Sequence, residues 1–592
     1  MKSNWQILCF YSCVFLFYPL VWVRLFTGRL TYWGEVNLFN PGLIALLCVF
    51  LVLTDVRSFC KFLSYRAGKL ICAAFSFILF VALIQLVAEY HWRTSYLWSS
   101  LYWVAVPLFC AVNRRKVEKY LPLFMIILGV ATIFQSFREL SRLAPCHGIP
   151  GNYNWNAALI TVTLPFLVYN IFSLRHRFLY FSGILIALGG IFLLFYCESK
   201  AAFLALIIST VIILVIKYWQ KWPWFFWLRA GAFLVIISIL LLILFKGTIF
   251  NILKEDQRLF LWKGVFELIK QHLWIGCGPE FFESAYAPNI PVDYYLGKLV
   301  SIRHPHSHNH FFQFAATMGI PALIAWGSVI ILTLAENLRM AAGKRKRKLK
   351  LYLFIFILLF VHSMLDVIVL SWPLGCIFLI VLGVLIGRAV EKSTFKEIRP
   401  EKGIILLCCL IGLGFAGLLC KYLYQNFVSS KHYRNARLML DQKNYNSAFA
   451  EVEKSLAAKQ TPQNTYMAGR IALYRLKKPL LCLKFLDQLD ALGIKNFDHN
   501  NQLRAKALAA AGRLPESLFY FAREQQNFPL SCVNLYYYRM VLRKLGRKAQ
   551  ADAVDRHLKR LLKMKGFSES FLPALLKDPY KDLRFIETNE TK

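Results

Sequence analysis

Acidic residues are scarce in this sequence: 32 Asp and Glu stand against 70 Lys and Arg in 592 residues, and charge of either sign reaches only 17%. A soluble chain of this length divides into several domains, each needing a charged surface. Here the charge sits in short stretches between long apolar runs, so that class is excluded for most of the chain. None of the 15 cysteines forms a C-x-x-C pair or a zinc spacing, which removes the common zinc and dithiol motifs. Most lie within apolar runs, where a thiol packs as a small hydrophobe. The net charge of +38 comes with no motif that reads RNA or DNA, so nucleic acid is not expected as a partner. What the sequence has in quantity is hydrophobic residues, at 58%, with a mean hydropathy of +0.49. Lipid is the solvent for most of it.

A helix crosses a bilayer in about 20 apolar residues. Runs long enough lie near 5–25, 38–54, 68–88, 95–112, 119–137, 155–172, 178–197, 201–217, 225–246, 310–334, 350–369, 372–388 and 403–424. The first is too long for a signal-peptide core and has no small-x-small site after it, so it is expected as an uncleaved span. Basic residues concentrate in alternate loops: Arg57 to Lys69, Arg114 to Lys119, Arg175 and Arg177, Lys217 and Lys221, Lys344 to Lys348, and Arg388 to Arg399. By the positive-inside rule these loops are cytoplasmic. The long 247–309 loop is then outside, as is everything after 425. The expected fold class is all-α: a polytopic helical membrane protein of about 12–13 spans, occupying 1–424, with a soluble α-solenoid at 425–592.

That solenoid is legible as a repeat. The segments beginning at Asp441, Leu476, Ala511 and Leu545 align on one another, with turn positions Lys443, Lys477, Gly512 and Gly546 about 34 residues apart. This is the period of tetratricopeptide (TPR) helix pairs, and the apolar spacing inside each segment is helical. Such a surface suits a protein or glycan partner, or serves as a spacer.

Polar residues of the outer loops are few. The 247–309 loop carries Arg258 and Trp262, then Gly276-Cys277-Gly278 followed by Glu280 and Glu283. It ends in Arg303-His304-Pro305-His306-Ser307-His308-Asn309-His310. A site that releases a lipid diphosphate needs cations at the membrane surface, because negative charge develops on the leaving group. Arg258, Lys200 and Arg303 are the candidates, though a lone cation at a span end also anchors to headgroups. A histidine at headgroup depth suits the base that deprotonates an acceptor hydroxyl, and His308 is the choice. The alternating His304, His306, His308 and His310 invite a transition metal, but no carboxylate or thiol nearby in sequence completes a set. Glu280 and Glu283 as a glycosidase pair are disfavoured, since a carrier-linked donor brings its own leaving group. Asn154 and Asn156 either orient glycan or diphosphate or simply make turns. The Gly276 and Gly278 pair reads as turn geometry. Cys146 and Cys277, on separate outer loops, are left open as a disulfide in an oxidising compartment.

In order and spacing, these motifs resemble the O-antigen ligase/polymerase superfamily of bacterial membrane glycosyltransferases. Arg258 with Trp262, Gly276 with Gly278, His308-Asn309 with Gln313, and Gly319-Ile320 fall at the family's places over roughly 150–335. Gly151 to Ala157 resembles its G-x-x-Asn-Pro-Asn loop, with Trp155 where proline is usual. Glu198 to Ala202 resembles its Ser-Arg-x-Ala segment, with Lys200 for the arginine, which keeps the charge without the bidentate fork. The resemblance implies a donor glycan on a polyprenyl diphosphate, inversion at the anomeric carbon, and no metal or other cofactor. It implies His308 as catalytic residue, Arg258 and Lys200 on the diphosphate, and Asn154, Asn156 and Asn309 as orienting groups; Arg303 joins the cations by its position alone. The acceptor stays open between lipid A core (a ligase), a growing glycan (a polymerase) and a protein hydroxyl. A lipid-linked glycan transporter is the rival from another class, although the half-to-half repeats common in transporters are not seen. The expected location is the bacterial inner membrane, with the active face and tail periplasmic.

Overall fold

A computed structural model describes Phe10 and residues 56–89, 95–141, 146–148, 150, 152–171, 177–218, 257–279, 281–291, 304, 306–341, 347–396, 402–492, 497–529 and 531–564. The expected spans at 5–25, 38–54 and 225–246, together with Glu280 and Arg303, lie outside the described residues (Phe10 apart). Every regular element described is a helix, and the protein is an all-α polytopic membrane protein. The membrane part comprises α1 (Arg66–Glu89), α2 (Ser95–Val112), α3 (Arg114–Leu140), α4 (Tyr153–Ile171), α5 (Arg177–Tyr196) and α6 (Lys200–Tyr218). After these come α7 (Gln257–Gln271), α8 (His310–Met318), α9 (Ile320–Ala341), α10 (Arg347–Leu365), α11 (Trp372–Val390) and α12 (Lys402–Asp441). Five stretches are long and apolar enough to cross a membrane by length and composition: Arg66–Gln85, Arg114–Leu140, Ile320–Ala341, Arg347–Leu365 and Pro373–Val390. Shorter apolar stretches lie within α2, α5 and α6.

Three expected spans are redrawn. The run 310–334 is not one helix: the chain breaks at Gly319, whose φ of +82° a helix does not tolerate, leaving α8 as a nine-residue helix ahead of the spanning α9. The run 350–369 ends as α-helix at Leu365, and a short 3₁₀ turn (Ile368–Leu370) leads into α11. The run 403–424 continues without a break to Asp441, so the change of composition near 421 falls inside one helix.

Three of the basic stretches meet at one end of the helices. At one end, Arg388 grips Glu118 with two bonds of 2.6 and 2.7 Å, and Arg114 bridges Glu118 and Glu391 at 3.0 and 2.7 Å. The Tyr352 hydroxyl meets the Glu118 carbonyl at 3.4 Å, and an isolated bridge joins Tyr65 to Phe395. These contacts gather residues 57–69, 114–119 and 388–396 on one side. Asp366 lies fourteen residues past Tyr352, about 21 Å along the helix direction at 1.5 Å per residue and therefore on the opposite face.

The tail continues as α13 (Tyr445–Ala458), α14 (Pro462–Tyr474), α15 (Pro479–Ala491), α16 (Asn500–Ala510), α17 (Leu514–Asn527), α18 (Cys532–Lys544) and α19 (Lys548–Met564), each packed on the next. The four repeat-turn residues all have positive φ: Lys443 +60°, Lys477 +57°, Gly512 +81° and Gly546 +69°. At three of them the following N–H returns to the carbonyl five residues back (Asn444 to Met439, Arg513 to Leu508, Arg547 to Leu542), the closure that ends a helix in a left-handed residue. The repeat period is thus a period of helix stops.

The tail does not stand apart. Cys532, Leu535, Leu558, Leu561 and Leu562 share one buried cluster with Leu261, Val265, Leu268, Phe282, Tyr286 and Ala315. Phe281 enters the core formed by Tyr466, Leu486 and Leu503. The tail therefore seats on the segment between α7 and α8, whose last residues are the histidine run.

Candidate active site

α8 sets the histidine run in place. Asn309, in extended conformation, caps the helix by accepting from the Phe311 and Phe312 N–H groups at 2.9 and 3.1 Å. Its amide donates to the Met364 carbonyl at 2.9 Å, pinning the cap to the end of α10. Ser307 donates its N–H to Gln313 Oε1 at 2.8 Å and its hydroxyl to the Asn309 carbonyl at 2.7 Å. Trp262 Nε1 on α7 donates to the Ser307 carbonyl at 3.0 Å. Between these clamps His308 has a φ of +53°, a conformation uncommon outside glycine that persists only when the surroundings hold it.

The other end of α8 is closed by the Gly276-x-Gly278 turn, as that spacing suggests. The N–H groups of Cys277 and Gly278 donate to the Ala316 and Thr317 carbonyls at 2.8 and 3.0 Å, and Ile320 N–H donates to Leu273 at 2.9 Å. A Cβ on Gly276 would lie 2.3 Å from the Thr317 carbonyl carbon, and one on Gly319 would lie 2.3 Å from the Trp274 oxygen. Both residues also have positive φ, so backbone meets backbone here and only glycine fits. Gln85 of α1 adds its amide to the Ile275 and Thr317 carbonyls.

The strained turn delivers His308 to Asp366. Nδ1 of His308 and Oδ1 of Asp366 are 3.2 Å apart, and the carboxylate also accepts from the Val367 N–H at 2.8 Å. The His308 side chain is 35% exposed while that of Asp366 is 4% exposed. With the carboxylate at Nδ1, the proton of a neutral ring sits there, and Nε2 keeps the lone pair. Asp366 is the residue that reading the sequence missed. A usable signal existed: it is the one Asp, Glu, Lys or Arg between Lys350 and Arg388, and a charge isolated in an apolar run marks function by default.

Around this pair stand further polar groups. The rings of His306 and His308 lie 4.4 Å apart, edge to face, and Trp155 at the start of α4 backs His306 at 6.5 Å. Burial, helped by His308, pushes His306 down to about 4, so it is neutral at physiological pH. His304 and His310 turn away: the first packs on Tyr286 at 5.9 Å, and the second stacks on Trp103 at 5.1 Å. The four alternating histidines therefore do not converge on one ion. Instead, the carboxylate missing from the local sequence arrives from Asp366, and His306, His308 and Asp366 offer ligand atoms within 4.8 Å of one another. A tetrahedral ion with bonds near ~2.0–2.2 Å needs closer ligands than that limit guarantees, and it would occupy the His308–Asp366 pair.

Of the candidate cations, Arg258 lies one helical turn before Trp262 on the same face of α7, and its charge reaches buried His362 near the end of α10, as does that of Asp366. Lys200 opens α6 with its side chain exposed, just after Ser199, whose hydroxyl accepts from the Ala202 N–H at 3.4 Å. The α5–α6 turn reaches the start of α4 through Asn156, and Trp155 there reaches His306. Lys200 and the histidine loop therefore share a face.

Asn156 is fully buried. Its amide is given to Ser136 Oγ (2.9 Å) and to the sulfurs of Cys146 (3.3 Å) and Cys197 (3.8 Å). Asn309 is likewise spent on its cap, while Asn154 lies in the first turn of α4, its N–H taken by Asn152. The sequence left a Cys146–Cys277 disulfide open; the structure corrects it. The two lie in separate buried clusters, Cys277 beneath the tail and Cys146 beside Cys197.

Residues 184–327, about a quarter of the chain, match the family model described as O-Antigen ligase. No curated protein matches. The matched stretch contains Lys200, Arg258 and the whole histidine run, whereas Asp366 lies beyond it. With its order of motifs, this match places the segment in the O-antigen ligase superfamily, a family of membrane glycosyltransferase-like enzymes.

Proposed function

We propose that the protein transfers a glycan from a polyprenyl diphosphate carrier to an acceptor hydroxyl at the periplasmic face of the inner membrane. The observation that carries this reading is the His308–Asp366 pair, a half-buried imidazole held by a buried carboxylate at the end of a membrane helix. Nε2 of His308 takes the acceptor proton as the acceptor oxygen attacks the anomeric carbon. The bond from that carbon to the diphosphate oxygen breaks, and the carrier diphosphate leaves with the electron pair and inversion at carbon. Asp366 holds the ring and stabilises the imidazolium that forms. Arg258 and Lys200 neutralise the departing diphosphate, with Arg303 as the third cation expected from the sequence. Asn309 and Asn156 orient the machinery through the protein, by capping α8 and by joining α4 to the α5–α6 turn, and Asn154 stands at the mouth of α4. No metal is invoked, because an ion would share His308 and Asp366, which this reading uses as the base and its holder.

The assignment of 1–424 to the membrane enzyme and 425–592 to a TPR-like periplasmic tail belongs to the same proposal. The tail packs against α7 and α8, which supports a tail on the same face as His308. That seat favours a tail that presents or admits the acceptor, which is lipid A core, a growing glycan or a protein hydroxyl. The test is transfer in vitro from polyprenyl-diphosphate glycan to each acceptor class by wild type and His308→Ala, with and without chelator. Transfer by wild type alone, indifferent to chelator, is the expected result. Equal transfer by His308→Ala removes the base, and carrier translocation in liposomes without transfer to any acceptor replaces the reading with a transporter.

A further inference from the structure

Behind the proposed site, two thiols meet on one amide. Cys146 follows α3 and Cys197 ends α5, 51 positions apart, and both sulfurs lie on Asn156 Nδ2 at 3.3 and 3.8 Å. Each residue is 4% exposed. The Cys197 thiol also faces the Cys146 carbonyl oxygen, 4.0 Å away.

We infer that Cys146 and Cys197 are a disulfide pair of the mature protein, fastening the segment after α3 to the turn between α5 and α6. The turn it fastens is the one that presents Lys200. Glu198 there has a φ of +51°, Ser199 is wholly buried, and Lys200 follows at the surface. A bond at Cys197 fixes this turn three residues from the cation, and through Asn156 and Trp155 it fixes the wall behind His306. In the reaction the two thiols lose two protons and two electrons and form one S–S bond. The oxidant is a disulfide carrier of the thiol–disulfide oxidoreductase class, reduced to its dithiol through a mixed disulfide. Because both sulfurs end up buried, the exchange takes place before the segment packs down. The inference rests on the proposed function's placing of this face in an oxidising compartment.

The test blocks thiols with N-ethylmaleimide in intact cells, then denatures and digests the full-length protein without reductant and maps peptides by mass spectrometry. The expected result is a 146–197 cross-linked peptide that dithiothreitol resolves. The Cys146→Ser and Cys197→Ser variants should each lose it and leave the remaining thiol alkylated once denatured. A parallel sample of membranes is treated with diamide before blocking. If both cysteines carry maleimide without reduction even after diamide, the geometry fails and the inference falls. If the bond forms with diamide but not in cells, the inference falls as well, and the failure then lies with the sidedness of the face rather than with the pairing.

Discussion

His308 and Asp366 meet at 3.2 Å although they stand 58 positions apart with three helices between them. The contact joins the mouth of α8 to the end of α10, and it gives the half-buried ring a defined proton arrangement.

Asp366→Asn should therefore damage transfer nearly as badly as His308→Ala. The amide keeps the shape but can donate to Nδ1, which favours the wrong tautomer. A fall of roughly 10²–10⁴ in kcat is expected from such pairs, and the double variant should be little worse than either single one. Initial rates of transfer with saturating donor check this. A double variant that loses the two factors multiplied would show that the residues act separately.

Zn²⁺ should inhibit. His306, His308 and Asp366 are near enough for an ion to draw together, and an ion there breaks the His308–Asp366 hydrogen bond that leaves Nε2 as the base. Micromolar Zn²⁺ is expected to suppress transfer, chelator to restore it, and His306→Ala to keep most of its transfer while losing zinc sensitivity. Dose–response curves for the two proteins are the measurement. Stimulation by zinc would reverse the chemistry proposed for His308.

Gly319→Ala should compromise the protein before any chemistry is tested. The new methyl would meet the Trp274 oxygen at 2.3 Å in a backbone conformation that alanine resists. A strained residue alone costs about 1–3 kcal/mol, and the clash adds to it. A lowered thermal midpoint in detergent and weak membrane yield are the expected outcomes, whereas Gly327→Ala, where the added carbon meets nothing within 4 Å, should be neutral.

How far the site could be read from the sequence follows from how far apart its parts lie along the chain. His308, Asn309, Gln313 and the two glycines stand within about forty residues, and their order alone announced a site. Asp366 was hidden because an apolar run reads as a span from end to end, and no pattern marks where the helix stops. Gly319 hid a break in the same way: the run 310–334 is apolar throughout, and only the backbone geometry divides it. The tail was legible in period because its turns recur, but its seat on α7 was not, since Leu535 and Leu561 look like any other core leucines until a partner surface is known. Asn156 and Asn309 look alike in sequence as polar residues on an outer loop, and both turn out to be spent on the protein itself.

The tail should also respond to acid. Lys454 and His432 hold Glu451 down at about 2, against an ordinary value of 4.5. A depressed carboxylate contributes its stability above the unfolded value, and the contribution fades as pH falls from about 4.5 toward 2. Hydrogen bonds to a charged group are worth about 1.5–3 kcal/mol. Glu451→Gln should lower the unfolding midpoint of the tail at pH 7 and leave it nearly unchanged near pH 2. An equal deficit at both pH values would make the effect one of packing.

The unbroken run of α12 from Lys402 to Asp441 is about 60 Å long at 1.5 Å per residue, twice the hydrocarbon thickness of a bilayer. Half of it is left over to act as a rigid mast. A residue inserted into that half would raise everything beyond it by about 1.5 Å and swing it by about 100°, carrying Leu535 and Leu561 off α7. The height and heading at which the tail stands over the membrane are thus written in the residue count of a single helix, as a gauge rather than a tether.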